Sequence, residues 1–121
     1  MRVIWLEAGT THVFGRCGET NGTAIRLDIT EWYNEYPDGV GTLLFIWPND
    51  KMYPLDTTMG YDYANQKRYL EATLTDHELL YPGWAVVKAA WYDGTTLLYR
   101  AVSPAIRHIN PSLSPGPPSC R

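Results

Sequence analysis

The chain has 121 residues, and its ten Lys and Arg against thirteen Asp and Glu leave a net charge of −3. That is the size of one ordinary domain, and a mildly acidic chain lacks the broad positive field that non-specific nucleic-acid binding relies on. No run of about eighteen apolar residues occurs, so no helix is expected to span a membrane, and two cysteines are too few for a disulfide framework. The apolar start, Val3-Ile4-Trp5-Leu6, meets Glu7 after four residues, too short for a signal peptide. Synthesis in a cytoplasm is therefore expected, with Cys17 and Cys120 as free thiols. The aromatics are five Trp and nine Tyr against only two Phe, so most rings carry a polar handle.

In chain order, Arg2 to Leu6 reads as a first strand and His12 to Cys17 as a second. Gly18 to Gly22 is dense in turn formers, and Asn21-Gly22 is a hairpin signal. Thr23 to Ile29 then alternates, with Ile25, Leu27 and Ile29 on one face and Ala24, Arg26 and Asp28 on the other. The expectation is a hairpin between these last two segments. Thr30 to Gly39 is aromatic and acidic, holds at most one helical turn with Thr30 as a possible cap, and ends in a Pro-Asp-Gly turn. Val40 to Trp47 is the most apolar stretch, and its eight residues predict a central strand buried on both faces. After a turn at Pro48 to Lys51, Met52 to Leu55 returns as a strand that Pro54 marks as an edge.

Residues 56–66 are polar and tyrosine-rich and read as loop with room for one short strand. Arg68 to Leu74 alternates, with Leu70, Ala72 and Leu74 inward. Asp76 to Leu80 reads as a single helical turn capped by Thr75, and Tyr81-Pro82-Gly83 as a turn. Trp84 to Tyr92 is a long strand with Val87, Ala89 and Trp91 on one face. Asp93-Gly94 turns it into Thr95 to Val102, and Pro104 to Ile109 reads as a last edge strand. From Pro111 on, four of the nine prolines crowd eleven residues that cannot build a core. The expected fold is all-β: a small antiparallel sandwich, Ig-like or jelly-roll-like, of about eight short strands over residues 1–109, followed by a Pro-rich tail or linker at 110–121.

Catalytic chemistry finds little support. His12, His77 and His108 are scattered, and no HExxH, CxxC, phosphate-loop or GxSxG pattern occurs. Asp76-His77-Glu78 reads as solvated charges on a surface turn, and carboxylate neighbours such as Glu31 and Glu35 as chance proximity. No enzyme activity, cofactor or metal is expected. The informative residues are the clustered rings: Trp32, Tyr33 and Tyr36 in one segment, and Tyr61 and Tyr63 in another, with Tyr69 nearby. Such rings close the ends of a sandwich, anchor a protein interface or stack on sugars.

The order of motifs also resembles a domain that recurs in virion structural proteins of phages and prophages of Firmicutes. There, a strand ending in D-[VI]-[ST]-x-W leads to a YPDG turn. The matching residues here are Asp28-Ile29-Thr30-Glu31-Trp32 and Tyr36-Pro37-Asp38-Gly39. The likeness continues through Trp47-Pro48-Asn49-Asp50, where the family has RPGD, and through Tyr53-Pro54. It then takes in the Thr73-to-Gly83 turn, the Gly83-to-Gly94 hairpin and the exit Val102-Ser103-Pro104-Ala105-Ile106. It covers about residues 3–109. The resemblance implies a β-sandwich attachment domain, of the kind found at a head fibre, capsid decoration or baseplate. Its expected partners are other virion proteins, capsid or tail, and further copies of itself, with neither nucleic acid nor membrane. The expected location is the virion, after synthesis in the host cytoplasm. Trp32, Tyr33, Tyr36, Tyr61 and Tyr63 are the candidate contact residues. The alternative is a carbohydrate-binding module that uses the same rings, and a small hydrolase comes third.

Overall fold

A computed structural model describes residues 2–7, 14, 22–47, 49–75, 78, 83–102 and 106–108. They form two sheets that pack face to face. The first has the order β1 (Arg2–Trp5), β2 (Thr23–Asp28), β6 (Lys67–Leu74), β5 (Thr58–Asp62). The second has the order β4 (Met52–Leu55), β3 (Val40–Ile46), β7 (Gly83–Asp93), β8 (Thr96–Val102), and β9 (Ile106–His108) pairs with the start of β7. One short helix, α1 (Thr30–Glu35), carries the chain from the first sheet to the second. This is the all-β sandwich that the alternating segments predict. The Pro-rich tail and both cysteines lie outside the described residues.

The inward faces are the ones that alternation marks. Ile25 and Ile29 from β2 and its end, and Leu70, Ala72 and Leu74 from β6, meet Leu43, Phe45, Val87 and Trp91 from the second sheet. The layers approach closely at Gly41 of β3, and Gly39 just before it lies against Trp91 of its own sheet. A methyl group built on Gly41 would lie 2.5 Å from the Leu70 side chain of the opposite sheet, and one on Gly39 would lie 2.2 Å from the Trp91 ring. Phe14 is fully buried in the same core, and its carbonyl accepts a 2.8 Å bond from the Thr23 hydroxyl.

Several sequence expectations need correction. The hairpin expected between His12–Cys17 and Thr23–Ile29 is not how β2 is paired. β1 lies parallel to it on one side (Arg2 opposite Thr23, Trp5 opposite Arg26) and β6 lies antiparallel on the other. Apart from Phe14, the expected second strand lies outside the described residues. β3 is central, as its apolar run suggests, but only one face is covered: Leu43 and Phe45 are buried while Val40 is 63% exposed. Thr30 is the first helical residue rather than the cap: Ile29 stands at the cap position without a side-chain capping bond, and Asp28 Oδ1 accepts the Thr30 N–H. Glu78 is not a solvated charge either. It is buried, and its carboxylate accepts bonds from the backbone N–H and the hydroxyl of Thr75 at 2.9 and 2.8 Å, which is the reciprocal half of a capping box. Its neighbours Asp76 and His77 lie outside the described residues.

Candidate functional site

The rings singled out by the sequence gather around α1, at one end of the sandwich. The end of β2 fixes that helix. Asp28 Oδ1 accepts bonds from the Thr30 N–H and hydroxyl at 3.0 and 2.6 Å. The Thr30 oxygen in turn accepts the Arg68 N–H at 3.1 Å, and the Ile29 N–H donates to the Arg68 carbonyl. Pro37 then disfavours helical backbone at Tyr36, whose φ of −133° and ψ of 77° are already extended. A helix of six residues between a fixed start and a proline has little freedom, so its side chains are delivered to defined places.

Two of them turn toward the second sheet. Trp32 stacks on Tyr99 of β8, with centroids 5.7 Å apart and planes within 5°, and tilts against Trp91 at 6.5 Å. Tyr36 leans on the other side of this group, 5.9 Å from Tyr99, and its carbonyl accepts the Trp91 indole N–H at 3.2 Å. The Tyr99 hydroxyl donates to the Glu35 carboxylate. That bond to Glu35, helped by burial and by the negative charge itself, pushes the Tyr99 hydroxyl up to about 12.

The others turn toward the first sheet. The Arg68 guanidinium lies 3.9 Å from the Tyr33 ring centre and 5.3 Å from that of Tyr61, which makes it a cationic bridge between helix and sheet edge. Tyr61 meets Tyr63 edge to face at 4.8 Å, and Tyr63 is 84% exposed. Tyr63 begins a turn held by Asp62, whose carboxyl accepts from Ala64 and Asn65. The Asn65 side-chain bond is the main reason the Asp62 carboxyl sits below the usual carboxylate range.

The five candidate rings are thus brought to one rim, in two groups on opposite sides of α1. Sequence reading missed their partners Tyr99, Trp91 and Arg68. Tyr69, read alongside Tyr61 and Tyr63, points elsewhere, onto the outer face of the first sheet. There it meets Trp5 edge to face at 5.5 Å. Arg26 lies 4.4 Å from the Tyr69 ring centre and bonds Glu71 at 2.5 Å, a pairing that raises its already high pKa.

The outer face of the second sheet is built differently. Register puts Val40, Thr42, Leu44 and Ile46 of β3 beside Tyr92, Ala90, Lys88 and Val86 of β7. Met52 and Pro54 of β4 and Arg100 of β8 complete it. Met52 is 61% exposed and Trp84, on the same side of β7, 53%. Small side chains at Thr42 and Ala90, between Pro54, Tyr92 and Arg100, leave an open cavity of about 490 Å³.

Among the described residues no cluster of three or more His, Cys, Asp or Glu is placed to hold a metal ion, and no helix is long and apolar enough to cross a membrane. No protein-family model matches the chain, and no curated protein matches it.

Proposed function

We propose that this protein is a phage virion structural component, a β-sandwich that attaches to other virion subunits of the capsid or the tail. The virion assignment rests on the ordered motifs from Asp28 to Ile106 that resemble attachment domains of such proteins. The attachment role rests on one observation of geometry: an outer sheet face with apolar side chains on three strands, half-buried at Leu44, Ile46 and Val86 and exposed at Val40, Met52 and Trp84. Contiguous exposed apolar surface on a small domain marks a place where something binds.

The aromatic rim supports the same reading in a different way. A carbohydrate platform of Trp32, Tyr33 and Tyr36 needs rings lying side by side and facing outward. Here Trp32 faces Tyr99 and Trp91, and Tyr33 faces Arg68. The rim serves chiefly to close the end of the sandwich, which leaves the sheet face as the larger open surface.

The test is mass spectrometry of purified virions from the phage or induced prophage that encodes the chain, together with co-sedimentation of the purified protein with capsids and with tails. The expected result is the protein in the particle and saturable binding to one of the two fractions. Absence from the particle and from both pellets would overturn the proposal.

A further inference from the structure

The charges on the open face of the second sheet narrow down what covers it. Lys88 and Arg100 are its only charged groups among the described side chains. Ala90 pairs with Arg100 and Lys88 with Val102, so the two cations occupy diagonal neighbouring positions. Neither has an ion-pair partner among the described residues. The two cations carry the same sign on a face that offers them no carboxylate among the described residues, and the apolar neighbours do nothing to balance them. An occupant that brings carboxylates together with an apolar group would satisfy both features.

The same chain presents such a surface at the α1 edge. Glu31, Tyr36 and Asp38 are all exposed, and neither carboxylate has an ion-pair partner among the described residues. The last turn of α1 holds no basic residue. A symmetric contact of the sheet face with itself, by contrast, brings two pairs of cations together with no carboxylate between them.

We infer that the outer face of the second sheet receives the acidic α1 edge of a second copy, with Tyr36 entering the cavity beside Thr42 and Ala90 and with Glu31 and Asp38 facing Lys88 and Arg100. Such a contact joins unlike surfaces, so a joined pair still has one face and one edge free. It propagates into a ring or a filament rather than stopping at a pair. This association is independent of the virion assignment: it holds or fails with the purified chain alone.

The experiment is sedimentation velocity of the full chain under reductant, from about 1 µM to about 1 mM, the range in which weak contacts of this kind show. The wild type is expected to form species beyond a dimer as concentration rises, and to lose them at high salt. Thr42→Arg, which fills the cavity and adds a cation, and the double variant Glu31→Lys/Asp38→Lys are each expected to stay monomeric, with melting curves close to wild type. Mixed together, they should give a heterodimer and nothing larger, because one keeps an intact edge and the other an intact face. A wild type that stays monomeric throughout, one that stops at a symmetric dimer, or a mixture that forms no heterodimer would each overturn the inference.

Discussion

The two outer faces of this sandwich handle the same problem in opposite ways. On the first sheet, every large side chain that points outward near the centre has a partner: Trp5 against Tyr69, Arg26 over Tyr69 and bonded to Glu71. On the second, the outward residues of β3 are aliphatic or small, the two cations face no carboxylate among the described residues, and a cavity opens beside Thr42 and Ala90. Both faces sit on one core, so the core does not account for the difference. A face complete in itself has no need of a neighbour, and a face left apolar with charges of one sign does.

The largest expected effect removes what the two faces share. Trp91 is fully buried between the sheets and its indole N–H is bonded, so Trp91→Ala should cost about 3–5 kcal/mol in chemical denaturation. Both faces should fail together. A smaller loss localised to one sheet would show that the layers are less coupled than the packing implies.

On the first sheet, Glu71→Ala strips Arg26 of its partner at a site where both side chains are about a quarter exposed. A loss of about 1 kcal/mol is expected, near the top of the range for partly solvated pairs, with self-association unchanged. On the second sheet, Lys88→Glu should do the reverse. It replaces a like-charge diagonal with an opposite one, so thermal stability of the monomer should rise slightly, by about 0.2–1 kcal/mol, while association is lost. If both substitutions act on stability alone, the contrast between the faces has no functional meaning.

The smallest effect concerns the rim. The Tyr99 hydroxyl is raised from 10 to about 12 in the folded protein. Its bond to Glu35 therefore supports folding fully below pH 10, and that support is lost as pH rises through about 12, because the unfolded chain gives up the proton first. Stability measured from pH 9 to 12 should fall less steeply in Tyr99→Phe than in wild type. Equal slopes would mean that the Glu35 bond does not survive in solution.

The inward half of this fold was legible in the sequence because burial on one side imposes a period of two, as in Ile25-Leu27-Ile29 and Leu70-Ala72-Leu74. The outward half was harder to read. Val40, Leu44 and Ile46 give β3 an apolar run that predicts burial on both faces, yet these are the residues of the outer apolar face. An apolar residue awaiting a partner and one already covered look alike in a single chain. The parallel pairing of β1 with β2 has no local signal, since parallel strands cannot be joined by a two-residue turn of the kind a sequence marks. The partners of the rim were hidden for a related reason: Tyr99 lies 64 positions from Glu35, and only the sandwich brings them together.

The direct measurement is backbone amide chemical shift as a function of protein concentration, by NMR on the uniformly labelled wild type. The account predicts concentration-dependent shifts at Thr42, Leu44, Lys88, Ala90 and Arg100 and along Glu31 to Asp38, with Arg26, Tyr69 and Glu71 unmoved. Shifts centred on the first sheet's outer face, or none up to about 1 mM, where even weak contacts are populated, would contradict it.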